Sequence, residues 1–257
     1  MKNLLINKKV VRVYDSIDEM PIVNFQKYNK YLLIDSGIGS DADDIDSHIT
    51  RIAKFIKANN NKKALQELQN MRQNMYMVNN EISPRYLAFA ALIHSIDGKE
   101  VTDLSDDGLK ALLEELKEVK HSVVVEFLLW LKKKVTFELE TYFPGDFVNP
   151  KEKEAYDKIK NRTLLVLDSI INDTDNSEQI DALDAVLVNM HNPKSFIGSE
   201  SVEIQYDKQF ESTCLLIAQK TSMDAKKMTV LQFYNAVDNI KAQAEAEAKS
   251  YSKHKRR

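Results

Sequence analysis

Residues Ser83 to Gly98 read SPRYLAFAALIHSIDG, and the fold turns on how that stretch is read. Ser83 stands where a helix N-cap would, with a hydroxyl able to accept from the first free amides. Pro84 suits the first helical position, where no N–H is needed and φ is already helical. From Leu87 to Ile93 every residue is apolar, so no face is left for water, and a helix apolar on all sides belongs inside a bundle. Asp97-Gly98 offers a stop that tolerates the left-handed conformation. The stretch predicts a buried central helix over 83–97, and around it an all-α multi-helix bundle.

Composition agrees. The 257 residues include only 6 glycines and 5 prolines, while Leu, Lys, Glu, Ala and Ile abound, which favours long helices over strands and turns. The length lies between one and two ordinary domains and suffices for a core without metal or disulfide. The single cysteine, Cys214, sits beside apolar Leu215 to Ala218 and reads as a small core residue in a reducing compartment. The start MKNLLINKKVV lacks the long apolar region of a secretory leader. Val123 to Leu131 is broken by Glu126 and followed by three lysines, so no membrane span is expected. A net charge of −3 argues against a general nucleic-acid binder.

Working outward, Leu4 to Tyr14 is the one segment where β-branched residues dominate, and it reads as a small N-terminal β hairpin or edge strand. A helix starts at Pro21 and carries Phe25, Tyr28 and Leu32, until Asp35 to Asp41 breaks it. Ser40 and Asp43 resemble a capping box for a helix with Ile45, Ile49, Ile52 and Ile56 on one face. Leu65, Leu68, Met71, Met75 and Val78 continue that period. Beyond the hub, Ser105 caps a helix with Leu109, Leu112, Leu113, Leu116 and Val119 inward. The longest helix, Ser122 to Tyr142, carries Val124, Phe127, Leu128, Leu131, Val135 and Leu139 around Trp130. Phe143-Pro144-Gly145 ends it.

The breakers from Pro144 to Pro150 suggest a boundary, which divides the chain into an N-terminal β segment plus helical subdomain (1–143), a C-terminal helical subdomain (150–250) and a basic tail (251–257). Asn149 and Pro150 open a helix expected to turn Tyr156, Ile159, Thr163, Leu167 and Ile170 inward. Ser177 caps the next, with Ile180, Leu183, Val186, Leu187 and Met190. A loop of roughly a dozen residues runs to Glu203, a length that marks mobility or a contact surface. Phe210, Cys214 and Ile217 mark another helix. Thr229 and Gln232 form a capping box for the last, which carries Phe233, Val237 and Ile240.

Chemistry is harder to find. Counted from Asp41 as an EF-hand, the acidic run Asp41, Asp43, Asp44, Asp46 puts Asp46 at the obligatory glycine and Ile52 at the bidentate Glu, so it reads instead as helix N-terminal charge. Gly37 and Gly39 lack the Lys-Ser/Thr of a phosphate loop and read as a hinge. No two of the five histidines (His48, His94, His121, His191, His254) are spaced as zinc ligands on one helix. His94 lies in the hub, where satisfaction by a backbone carbonyl is commoner than catalysis. Cys214 has no histidine near it in sequence. No catalytic, cofactor or metal residues are therefore assigned. Adjacent Phe233 and Tyr234 cannot face the same way, which makes one of them a contact residue. The basic end, with Lys253, Lys255, Arg256 and Arg257, is the other contact candidate, for an acidic partner or a phosphate backbone.

Two stretches together carry a resemblance, Asp18 to Ile49 (DEMPIVNFQKYNKYLLIDSGIGSDADDIDSHI) and Met228 to Gln243 (MTVLQFYNAVDNIKAQ), the second of which resembles the closing helix of small tail-assembly proteins of tailed bacteriophages. With Leu87 to Leu109 (LAFAALIHSIDGKEVTDLSDDGL), the overall order is similar to helical proteins from virion-assembly regions of phages and prophages of Bacteroides-type hosts, the crAss-like group included. The resemblance implies a non-enzymatic virion protein with no active-site residues to transfer, found in the virion and assembled in the bacterial host cytoplasm. The expected role is a tail or head–tail connector subunit in a homo-oligomeric ring, touching portal, connector or tail components. The alternative is a soluble tail-assembly chaperone absent from the mature particle. Nucleic-acid contact is expected only through the basic tail, and an enzyme or packaging accessory is the weakest reading.

Overall fold

The structure is a computed structural model that describes residues 1–80, 82–117, 119–144 and 150–254. Along the chain run β1 (Lys2–Ile6), β2 (Lys9–Val13), α1 (Ile22–Ile38), α2 (Asp43–Lys57), α3 (Asn61–Asn80), α4 (Pro84–Ala90), β3 (Ile93–Ile96), β4 (Lys99–Glu100), α5 (Asp106–Leu116), α6 (His121–Tyr142), α7 (Pro150–Asn172), α8 (Ser177–Met190), α9 (Val202–Thr221), a 3-10 turn (Ala225–Lys227) and α10 (Val230–His254). The protein is mostly α-helical with one small antiparallel sheet near its N-terminus, in the strand order β1-β2-β3-β4.

The central helix expected over 83–97 is half the expected length. It ends at Ala90, and the same apolar run continues as β3, antiparallel to β2 with Val11 facing Ile96. A short run that is apolar on every side is equally at home as a buried helix or a buried strand, so periodicity cannot separate the two. Asp97-Gly98 decides it: both residues have positive φ (49° and 83°) and Ile96 faces Lys99, so the pair is a two-residue hairpin loop and not a helix stop. Asn7-Lys8 (φ 48° and 68°) makes the same kind of turn between β1 and β2. The burial expected of the hub holds, because every residue from Ala88 to Ile93 is shut off from solvent. Ser83 does occupy the N-cap, yet its hydroxyl makes no capping bond.

The chain divides into two compact units, Met1–Ser36 with Ile82–Leu139 and Gly198–Arg257, and Gly37–Glu81 with Glu140–Ile197. This differs from a cut between 143 and 150. Breakers report local chain stiffness, whereas compact units are made by long-range contacts, and the chain passes between the units four times, at Gly37 within α1, before α4, at Glu140 within α6 and at Gly198.

The first unit is built on apolar burial. α5 and α6 bury the faces that their periodicity marks, including Leu109, Leu116, Val124 and Leu131. Ser105 caps α5 by accepting from the Gly108 amide at 3.1 Å, and Asn24 Nδ2 donates to the Ala91 carbonyl at 2.8 Å, tying α1 to the hub. The Thr229–Gln232 capping box forms in both directions. Ile22 N donates to Met228 O and Val230 N to Met20 O, both at 2.9 Å, which sews the start of α10 to the start of α1.

The second unit is held differently. α2 and α3 form a hairpin whose first turn is capped one residue later than the Ser40–Asp43 pattern suggests. Asp44 Oδ2 accepts from Ser40 N (2.7 Å) and Asp41 N (3.4 Å), while Asp41 Oδ1 accepts from Asp44 N (3.3 Å). The break before α2 falls at Gly39, with φ of 94°, where a Cβ would collide with the Asn74 amide and the Asp44 side chain. Gly39→Ala is therefore expected to lower the stability of this unit by about 1–3 kcal/mol, read as a lower thermal midpoint. An unchanged midpoint would contradict this arrangement of the α2 entry.

Candidate functional site

α7 presents the feature that distinguishes the second unit. At 100° per residue, Tyr156, Ile159, Thr163, Leu164, Leu167, Ile170 and Ile171 fall on one arc, the signature of an amphipathic helix with a core-facing stripe. That stripe faces solvent. Tyr156 is 67 % exposed and Ile170 and Ile171 are each 74 % exposed, so the inward orientation expected for Tyr156, Ile159, Thr163, Leu167 and Ile170 is reversed. The opposite arc, with Ala155, Lys158, Arg162, Leu165, Val166 and Ser169, is the half-covered one. α7 packs against α8, and Arg162 grips Asp184 there with two bonds, Nε to Oδ1 at 2.7 Å and Nη2 to Oδ2 at 3.0 Å. α8 itself buries no residue fully. The hairpin thus keeps its charged anchor inside and its apolar stripe outside.

α3 shows why such an inversion is possible. Its inward face carries Ala64, Glu67, Asn70 and Asn74, all buried, while Leu65, Leu68, Met75 and Val78 are exposed. Each of these polar side chains has at least one partner, although the buried Asn74 Oδ1 accepts from none. His48, 1 % exposed, places Nδ1 2.8 Å from Glu67 Oε1 and Nε2 2.8 Å from the Ile38 carbonyl; Glu67, 2 % exposed, also accepts from Arg51 Nε. Asn70 Nδ2 donates to Lys194 O (3.1 Å) and Asn74 Nδ2 to Ile38 O (3.0 Å). Burial would raise the Glu67 pKa, but the hydrogen bonds and charges of His48 and Arg51 outweigh it and hold the carboxyl below its usual range. Buried carboxylates persist when paired in this way. On α2, the expected stripe is likewise split, with Ile45 and Ile52 half-buried and Ile49 and Ile56 exposed, while Phe55, outside that stripe, is buried.

A cleft of about 340 Å3 lies between α2 and α8, lined by Arg51, Lys54, Phe55, Arg162, Asp184 and His191 among others. Arg51 and Arg162 are already held by Glu67 and Asp184, and the His191 ring stacks on Phe55 with centroids 6.0 Å apart. Arg51, Arg162 and Asp184 thus serve the packing of the unit.

The residues singled out by sequence are scattered. Phe233 is buried and stacks on Phe210, centroids 5.9 Å apart, so its neighbour is intramolecular; the Tyr234 hydroxyl is pushed up in pKa by burial. The side chain of Lys253, and Lys255, Arg256 and Arg257 altogether, lie outside the described residues, as do Gly145 and Asn149. His94 stands on β3 with its ring edge-on to Tyr14 at 5.4 Å and Nε2 4.0 Å from Glu100 Oε1. Burial foremost raises the Cys214 thiol pKa, away from the thiolate that nucleophilic attack requires. Among the described residues no three His, Cys, Asp or Glu side chains are placed to hold a metal ion, and no helix is long and apolar enough to cross a membrane. His48 and Glu67 were hidden in sequence, 19 residues apart on different helices with no motif between them.

Compared with protein-family models, curated proteins and solved structures, the chain shows no match.

Proposed function

We propose that this chain is a non-enzymatic structural subunit of a tailed-bacteriophage particle, a tail or head–tail connector protein that works by contact with copies of itself and with neighbouring particle proteins. The observation that carries the reading is the outward apolar stripe of α7. Large contiguous apolar patches are rare on monomers and mark surfaces that another protein covers. The buried polar network of α2 and α3 fits the same role, since it orders that unit while leaving leucine and isoleucine on its surface. The resemblance of two stretches and of the overall order to phage assembly proteins supplies the setting, a ring or connector in which each subunit meets identical neighbours.

Mass spectrometry of purified particles tests this reading. The subunit is expected in the particle at a stoichiometry comparable to other tail or connector proteins. Its presence in infected-cell lysate together with absence from purified particles would replace the structural reading with that of an assembly chaperone. Absence from both would remove the phage reading altogether.

A further inference from the structure

We propose that the outward face of α7 seats a second copy of this chain, the two α7 helices lying antiparallel across a two-fold axis close to Thr163. This rests on the contact reading above and names its partner. Tyr156, Thr163 and Ile170 recur at seven-residue spacing, with Ile159 and Leu167 each four residues from Thr163, so the exposed row reads the same from either end. The stripe from Tyr156 to Ile171 is about 22 Å long at 1.5 Å per residue. Tyr156 and Ile170 are equally far from Thr163, so an axis there sets each against the other.

Charge selects the direction. From Lys153 to Arg162 the basic residues are Lys153, Lys158, Lys160 and Arg162, against Glu154 and Asp157. From Thr163 to Met190 there is no Lys or Arg, while Asp168, Asp173, Asp175, Glu178, Asp181 and Asp184 are acidic. Lys158 and Arg162, away from the stripe, are paired within the chain to Glu154 and Asp184, whereas Lys153 and Lys160, on the exposed arc, have no carboxylate partner among the described residues. These cations also sit in the half of α7 nearer the positive end of its dipole, where their own helix disfavours them. An antiparallel neighbour brings the acidic half of a second α7 alongside. Lys160 of one copy then reaches Asp168 of the other, whose carboxylate is engaged within its chain by uncharged groups, the amides of Asn172 (2.7 Å) and Asn176 (2.8 Å) and the Thr174 hydroxyl. Parallel pairing would set like charge on like. The contact is isologous and closes at two copies, so a ring requires a second, different surface.

Disulfide trapping in the full-length protein tests the pairing, with oxidised wild type as the control because Cys214 is buried. Thr163→Cys is expected to give a band of twice the chain mass on a non-reducing gel. Tyr156→Cys is expected to link to Ile170→Cys in a mixture of the two variants and not to itself. Adding Ile159→Asp and Ile170→Asp to Thr163→Cys should abolish the link while circular dichroism stays that of a folded helical protein. Self-linking of Tyr156→Cys, failure of Thr163→Cys to link, or linking that survives the aspartates overturns the proposal. No links from a protein that is found in purified particles sinks the pairing and leaves the structural reading standing; links from a protein absent from particles do the reverse.

Discussion

Glu67→Ala is expected to destabilise the α2–α3 unit by about 3–5 kcal/mol, because it strips the shared acceptor from a buried imidazole and a partly buried guanidinium. That loss is a large fraction of the roughly 5–15 kcal/mol that holds an ordinary domain together. Hydrogen exchange should locate it, with faster exchange in α2 and α3 than in wild type. The pH dependence has a definite sign. The Glu67 carboxyl titrates below its usual range in the folded chain. Its contribution is therefore fully present above the ordinary carboxylate pKa of about 4.3 and is lost as pH falls through the lower folded value. Wild type should lose stability across that acid window, and Glu67→Gln should flatten the dependence. A Glu67→Ala protein as stable as wild type, or an acid limb unchanged in Glu67→Gln, would contradict the buried cluster.

Phe89→Ala is the counterpart in the first unit. Phe89 is 0 % exposed and meets the edge of Phe127 with centroids 5.7 Å apart at 87°. Truncation leaves a cavity in the hub, with an expected cost of about 3–5 kcal/mol. Exchange should rise in β3, α4 and α6. A loss below about 1 kcal/mol would mean that the hub collapses around the gap and is not the rigid centre described here.

Those two variants mark the two ways in which this chain holds together, and only one of them was legible beforehand. Where burial is apolar, periodicity reads true: Leu109, Leu112, Leu113 and Leu116 of α5 and Val124, Phe127, Leu128, Leu131, Val135 and Leu139 of α6 are inside as their spacing predicts. The N-terminal hairpin follows from its β-branched residues, and the Ser105 and Thr229–Gln232 caps follow from local side-chain chemistry. The hub misleads because seven apolar residues in a row carry no period, and the Asp97-Gly98 turn that resolves them is also a plausible helix terminus. In α3 and α7 the period correctly locates a helix but not the side facing in. Glu67, Asn70 and Asn74 are buried through partners at His48, Lys194 and Ile38, contacts that exist only after folding. A carboxylate read without its partners is assigned to the surface, and the opposite face is then assigned to the core.

The bare face of α7 has a bounded energetic value. Six apolar side chains per copy, Tyr156, Ile159, Leu164, Leu167, Ile170 and Ile171, still hold large exposed areas, and covering each is worth roughly 1 kcal/mol. Two copies together supply on the order of 12 kcal/mol, against an association cost of roughly 4–15 kcal/mol. The pairing is thus expected to be reversible and dependent on concentration, strengthened by neighbours in an assembled particle.

Sedimentation equilibrium of the full-length chain over a wide concentration range, with the Ile159→Asp/Ile170→Asp variant run beside it, puts the central claim to its most direct test. The account predicts a wild-type mass that climbs from one chain to two as concentration rises, and a folded variant that stays at one. A wild-type chain of single mass throughout, or a variant that associates as wild type does, would contradict it.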